Sequence, residues 1–266
     1  AEKQKLLYKG QYPVHVCPRC ETAVAYNEIE YAKQKDKSIY VKFPLVGRNK
    51  TFLIIWTTTP WTLPANTGVM AHPDVKYQEI LLSSGEHWII AAERVAPLMG
   101  KIETGFTIVN TYTGKQLENL KYEHTLKDHI LIPVKKERCV VLSARYVTTE
   151  DGTGLVHCAP GHGKEDYEVG KANNLDMPSP VFSNGTLMPE AGKYSGKKAR
   201  EVDSEIVEDL RKDNFLVYEE MYEHDYPLCW RDKTPLLMIS QPQWFLKISE
   251  IHSKLLENNE STNWAP

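Results

Sequence analysis

The run Thr51-Phe52-Leu53-Ile54-Ile55-Trp56-Thr57-Thr58 is apolar and β-branched, and it is cut off by Pro60 and Pro64. β-branched and aromatic side chains favour a pleated, buried strand. Proline has no N–H to give to a ladder and cannot sit inside a helix, so the strand must stop and the chain must turn. The turn carries unusual polarity without charge: Thr57, Thr58, Thr59 and Thr62 supply hydroxyls, Asn66 an amide, and Trp56 and Trp61 two large walls. Two readings fit this stretch taken alone. It is a threonine-rich strand with a rigid turn, or it is a rim that hydrogen-bonds a polar ligand and positions a water.

The neighbouring pattern sets the fold class. Short strand-like segments are predicted at 39–43, 51–58, 87–91, 106–112, 138–142 and 155–158, broken by Gly, Pro and Asn. Many short strands at irregular spacing predict a barrel or curved sheet, mainly β. Helices are predicted at the edge: 164–174 behind two glycines with Glu165 and Asp166 in its first turn, 203–212, and an amphipathic 245–256. The polar stretch 32–38 reads as a loop. A connecting arm over 1–37, a β-barrel domain over 38–218 and a return arm over 219–266 are the expected divisions. The chain of 266 residues is 41% apolar and 25% charged, enough for a full core. A net charge of -3 excludes a grip on nucleic acid by bulk charge alone. No apolar run approaches the ~20 residues of a membrane span, and no membrane partner is expected. Five cysteines are too few and too odd for a secreted disulfide framework, which predicts a cytoplasmic protein and leaves Asn49, Asn184 and Asn259 as chance glycosylation matches. Both ends read as cut from a longer chain.

Two further motifs carry chemistry. Asp151-Gly152-Thr153-Gly154-Leu155-Val156-His157-Cys158-Ala159-Pro160-Gly161-His162-Gly163-Lys164-Glu165-Asp166 runs from turn to strand to glycine-rich loop to helix. It sets the His157 imidazole and the Asp166 carboxylate on opposite sides of one loop, able to face a shared cavity; a strand histidine satisfied by its neighbours is the alternative. The loop lacks the Lys-Ser/Thr of a phosphate loop, and His157, His162, Glu165 and Asp166 do not have the His-Glu-x-x-His spacing of a helical metal site. Cys17-Pro18-Arg19-Cys20 forms a knuckle of the kind that grips zinc, with Cys229 far along the chain as a third thiolate. Asp232 stands where a fourth thiolate would complete the set, and His224 is a second candidate for that place. A knuckle held by packing without metal is the other reading. Cys139 and Cys158 read as small buried apolar residues.

Together the threonine run 57–66, the segment from Gly152 to Asp166, and Pro227-Leu228-Cys229-Trp230-Arg231 with Gln243-Trp244-Phe245 resemble isoleucyl-tRNA synthetases, in the large insertion that carries their editing activity (connective peptide 1). The valyl and leucyl relatives usually continue with Arg-Pro after two threonines, so this form is similar to the isoleucyl branch. The resemblance covers about Tyr8 to Pro266. The adenylation signatures His-Ile-Gly-His and Lys-Met-Ser-Lys-Ser do not occur in the sequence. The resemblance therefore implies a β-barrel editing domain of a class I aminoacyl-tRNA synthetase, an aminoacyl-tRNA ester hydrolase that does not itself charge tRNA.

The resemblance implies roles as well. The substrate is the 3′ acceptor end of tRNA(Ile) carrying valine, cleaved to valine and free tRNA by water. Asp166 holds the α-ammonium group. His157 borders the side-chain pocket and excludes isoleucine, a base role being the alternative. Thr57, Thr58 and Thr59 line the other wall, with Thr59 and Asn66 close to the ester and the water; Thr62 also binds the substrate, and Trp61 lies near the terminal adenosine. Editing needs no cofactor, and ATP belongs to the absent catalytic domain; at Cys17, Cys20 and Cys229 a structural zinc and a metal-free knuckle both stay open, the departure at Asp232 bearing on that choice alone. The remaining partner is the rest of the parent synthetase, and the fragment is expected to be monomeric. Two alternatives stay open: a non-catalytic module that docks the tRNA acceptor end, and editing of another misacylated tRNA such as Thr-tRNA(Val).

Overall fold

A computed structural model describes residues 3–265. Its strands are β1 (Leu7–Cys17), β2 (Thr22–Ala23), β3 (Ile29–Pro44), β4 (Thr51–Thr57), β5 (Gly68–Ala71), β6 (Lys76–Leu82), β7 (His87–Ala91), β8 (Phe106–Thr113), β9 (Cys139–Leu142), β10 (Leu155–Cys158), β11 (Leu216–Cys229) and β12 (Leu237–Leu246). The helices are α1 (Ala92–Ile102), α2 (Gly114–Leu117), α3 (Lys164–Ala172), α4 (Asp203–Lys212) and α5 (His252–Ser261). The expected mainly-β architecture with peripheral helices is what forms. A curled, half-barrel sheet runs β8-β6-β7-β4-β10-β5-β9, with β3 joining β4 and β11 joining β3. A smaller sheet, β12-β1-β2, stands apart.

β4 is the hub. It is antiparallel to β3 and parallel to β7 and β10. A strand surrounded in this way is buried on both faces, which is why Leu53, Ile54 and Ile55 are consecutive apolar residues with no exposure at all. Each such side chain contributes about 1.5–3 kcal/mol by leaving water. The principal core joins Leu53 and Ile55 to Phe43, Tyr77, Ile89, Tyr122, Leu155 and the apolar face of α4, while Ile54 packs on the other face with Ile80, Ile90 and Leu98 of α1. Val156 on β10 lies directly opposite Trp56 on β4. That single register position brings the threonine run and the His157 segment side by side.

The structure corrects two expectations. Residues 32–38 are not a loop: they continue β3, paired with β11 from Leu216 to Cys229. The ribbon is polar because its partners are charges. Lys33 and Lys35 lie opposite Asp225 and Glu223, with ammonium–carboxylate separations of 3.0 and 3.6 Å, and Lys37 meets Glu219 at 3.1 Å. Each exposed pair contributes little alone, and the main-chain ladder does the rest. The strands β3 and β11 thus run unbroken through positions 37/38 and 218/219. The predicted helix 245–256 instead begins as β12, passes through a 3₁₀ turn at Ile248–Glu250, and becomes α-helical only from His252. Pairing with β1 (Tyr8 with Phe245, Leu7 with Leu246) overrides the helical periodicity there.

Candidate active site and comparison with known proteins

A cavity of about 290 Å³ opens where β4 and β10 end. Thr57, Thr58, Thr59 and Thr62 line it together with His157, His162 and Asp166, and Trp56 with the 151–156 segment forms the floor. The floor depends on backbone that only glycine adopts comfortably. Gly152 and Gly154 have φ of +65° and +71°, and a Cβ on them would lie 2.9 Å from the Trp56 ring and 2.4 Å from the Ala91 Cβ.

The threonine wall is held by its own hydroxyls. After Thr59 the chain tightens into a 3₁₀ turn, Pro60–Ala65, whose residues are all buried. Proline is tolerated there because the turn's remaining donors suffice: Thr62 N–H bonds Thr59 O, and Asn66 N–H bonds Leu63 O. The Thr59 N–H donates to Thr57 Oγ1 (3.1 Å), the Thr57 and Thr59 hydroxyls are 3.3 Å apart, and the Thr62 hydroxyl donates to Thr59 O (2.8 Å). From outside, Asp203 at the start of α4 accepts the Trp61 N–H at 2.7 Å. Burial pushes the Asp203 carboxyl up to about 7, against the opposing pull of that N–H and of Arg200.

The ionisable groups of the cavity are poised differently. Asp166 sits in the first turn of α3 and accepts the Ala159 N–H at 3.0 Å. Burial raises its carboxyl to about 6 while that hydrogen bond favours the charged form. His157 Nε2 lies 2.9 Å from Thr62 Oγ1, and its Nδ1 lies 3.2 Å from Asn66 Nδ2. Burial, with His162 beside it, lowers His157 to about 4, so the ring is neutral at physiological pH. His162 is lowered likewise to about 4 by burial, and its Nδ1 donates to Met238 O at 2.9 Å.

The structure brings together Thr57, Thr58, Thr59, Thr62, His157 and Asp166 around one space. It places two other expected site residues behind the wall. Asn66 has no exposed surface: it donates to Gly68 O, faces His157, and accepts from Tyr122. Trp61 is 4% exposed, with its ring edge-on to His162 at 5.0 Å, and does not line the cavity. Both are drawn inward by the apolar packing of the 3₁₀ turn against α4. Tyr146, Thr148 and His162 line the cavity, and Asp203 braces it. His162 stood inside a noted motif and Asp203 at the start of a predicted helix, whereas Tyr146 and Thr148 carry no sequence signal, being single polar residues outside every motif.

The cysteine knuckle assembles where β1 and β11 end. The ligating atoms of Cys17, Cys20, Cys229 and Asp232 lie within 4.8 Å of one another. The Asp232 oxygens stand 3.8 and 3.9 Å from Cys17 Sγ, and one stands 3.8 Å from Cys20 Sγ. The edge of a zinc tetrahedron with such ligands is roughly 3.6–3.8 Å, so this donor set fits the ion. His224 is not part of it; its Nε2 lies 3.0 Å from Asp36 on the neighbouring strand.

Comparison with known proteins gives the same picture. Residues 2–266 match the family of class I tRNA synthetases (I, L, M and V). Over the full chain the sequence is 45% identical to the isoleucine–tRNA ligase of Pyrococcus furiosus, and over 98% of the chain it is 43% identical to that of Petrotoga mobilis. The matched regions are 26% and 28% of those proteins, so the chain spans about a quarter of its relatives' length. Among solved structures, the editing domain of P. knowlesi cytosolic leucyl-tRNA synthetase superposes with a TM-score of 0.55 at 11% identity, covering 72% of this chain and 97% of that one. The P. falciparum counterpart gives 0.54 at 9%, covering 70% and 99%. The chain therefore belongs to the class I tRNA synthetases of the isoleucine, leucine, methionine and valine group, and its fold is that of their editing domains.

Proposed function

We propose that this chain hydrolyses the ester of valine mischarged on tRNA(Ile), releasing valine and free tRNA. The observation that carries the reading is one cavity lined by a carboxylate at a helix start, a neutral imidazole and threonine hydroxyls. A hydrophobic synthesis site gains only about 1–3 kcal/mol from one methylene, isoleucine against valine being the usual illustration of that limit. A second site that admits only the smaller side chain removes the resulting errors.

In this reading Asp166 binds the α-ammonium group through a charge-assisted hydrogen bond. The approach of that cation favours its ionised form over the buried neutral one. His157 acts as a size gate. Both of its nitrogens are already engaged, which leaves no lone pair for a water and argues against a base role. The threonine hydroxyls, Thr59 foremost, orient the water and the ester carbonyl, and the vicinal ribose hydroxyl of the tRNA assists. An ester is an activated bond, so positioning and hydrogen bonding suffice without a covalent enzyme intermediate.

The Cys17, Cys20, Cys229 and Asp232 set would hold a structural zinc. Bound there, the ion supplies cross-linking charge rather than reaction chemistry, tying the end of β1 to the end of β11. The test is direct: the chain is incubated with Val-, Thr- and Ile-tRNA(Ile) and free amino acid is followed. Rapid release of valine with Ile-tRNA(Ile) spared supports the reading. Binding of all three without release would make the chain a docking module, and preference for threonine would assign it to a different substrate.

A further inference from the structure

A buried path leads from His157 away from the cavity to a residue in a different part of the chain. Its direction can be read from atoms that have only one choice. Gly68 O can only accept, so the atom of Asn66 that meets it at 2.8 Å is the amide nitrogen. The second hydrogen of that same NH₂ group points to His157 Nδ1 at 3.2 Å, which must then be the accepting nitrogen. A neutral imidazole carries one proton, so His157 holds it on Nε2 and donates to Thr62 Oγ1 at 2.9 Å; the Thr62 hydroxyl in turn donates to Thr59 O at 2.8 Å. On the other side, Asn66 Oδ1 accepts the Tyr122 hydroxyl at 2.6 Å. Tyr122 is 3% exposed and stacked parallel on Phe43, with ring centres 5.1 Å apart. Arg138 Nε fixes the Asn66 carbonyl at 2.9 Å.

We infer that Tyr122 is a positioning residue: through Asn66 it holds His157 in the Nε2–H tautomer and so fixes the Thr62–Thr59 side of the cavity. The role follows from the arrangement of donors. Asn66 has two amide hydrogens and both are committed, while its oxygen is buried with Tyr122 as its partner. Without that hydroxyl the oxygen becomes an unmet buried acceptor, and the amide gains a reason to shift off its place. His157 Nδ1 then loses its fixed donor, and the ring is free to move its proton to Nδ1. The Nε2–H contact that orders Thr62 goes with it. Burial also pushes the Tyr122 hydroxyl well above its ordinary range, so it stays a donor across the working pH. The kinetic consequence of this device rests on the editing reading above; the tautomer itself does not.

The experiment is ¹⁵N spectroscopy of histidine-labelled protein at about pH 7.5, with the His157 pair identified by its loss in His157→Gln. In the wild-type chain, Nδ1 of His157 should be unprotonated and Nε2 protonated. Tyr122→Phe, which keeps the ring and the Phe43 stack, should give mixed tautomer signals and lower kcat for Val-tRNA(Ile) deacylation about tenfold with KM unchanged. Asn66→Asp replaces the donating amide by an acceptor and should invert the tautomer to Nδ1–H. A wild-type ring protonated on Nδ1 would overturn the inference. So would a Tyr122→Phe chain with wild-type signals and wild-type kcat. The spectra decide the positioning whether or not hydrolysis is detected, so a wild-type chain that holds the tautomer yet releases no amino acid counts against the editing reading alone.

Discussion

The two polar centres of this molecule are built on opposite plans. The cavity wall is closed within the protein: Tyr122, Asn66, His157, Thr62 and Thr59 hand hydrogen bonds from one to the next, and none needs a charge. The knuckle gathers three sulfurs and a carboxylate, groups that share a sign once ionised, within 4.8 Å. Such a set is at ease only around a cation. The wall is also local in sequence, drawn mainly from 57–66 and 157–166, whereas the knuckle joins residues more than 200 positions apart, Asp232 lying 215 positions beyond Cys17. The lesson is that a preformed reaction space and a structural staple need different completions. The first must be rigid before its ligand arrives; the second becomes rigid through its ligand.

The largest expected effect lies in the cavity. Asp166→Ala should lower Val-tRNA(Ile) deacylation 10–100-fold, since a hydrogen bond to a charged group contributes about 1.5–3 kcal/mol; an unchanged rate removes Asp166 from ammonium binding. The same carboxylate gives a pH signature. Its value is raised to about 6, so the ionised form is lost as pH falls through that point. kcat/KM should decline on the acid side of about pH 6 in the wild type, and Asp166→Asn should flatten that limb.

His157→Ala should raise hydrolysis of correctly charged Ile-tRNA(Ile) by about tenfold while valine is still removed, one methylene of discrimination being worth this much. Slower valine removal with no gain on isoleucine would make His157 catalytic instead of a gate.

The knuckle should respond in the other currency. Chelation, or Cys229→Ser, should lower the melting temperature by several degrees, as loss of a ligand bound only to the folded state does. Deacylation per folded molecule should stay the same. A lost rate restored by zinc would merge the two centres and break the contrast drawn here.

A last test concerns Asp203, which braces the threonine turn through the Trp61 N–H. The Asp203 carboxyl is raised to about 7 in the folded state from a reference of 3.8, so folding favours its neutral form. Its contribution is fully present below about pH 4 and fades as pH rises through about 7. Asp203→Asn keeps an acceptor for the Trp61 N–H and removes the buried charge. Its stability relative to wild type should rise between about pH 4 and 7, by on the order of 1–3 kcal/mol; a gap that does not change with pH would show that the carboxylate is better solvated than its burial implies.

Much of this could be read from residue types. The apolar run 51–58 and the prolines behind it imposed a buried strand and a polar turn, because proline leaves the chain no other course. The segment 151–166 read as a turn, a strand and a glycine-rich loop, and Asp166 in a first helical turn marked a carboxylate facing that loop. The charged ribbon 32–38 was illegible, since a strand made of alternating lysines is recognisable only beside the acids of Leu216–Cys229, nearly two hundred positions away. For the same reason 245–256 read as a helix until β1 claimed its first residues.

By itself, then, the sequence determined which groups this protein has to work with: hydroxyls at a strand end, an imidazole and a carboxylate across one loop, and three thiolates with an aspartate. Tertiary structure decided their standing. It pulled Asn66 and Trp61 behind the wall, turned His224 to Asp36 and left Asp232 with the thiols. It also brought Tyr122 and Asp203 to the threonine turn from segments that share no motif with it. The physical reason is that chemistry is carried by residue type, while burial and hydrogen-bond direction are set by whichever distant strand or helix packs alongside.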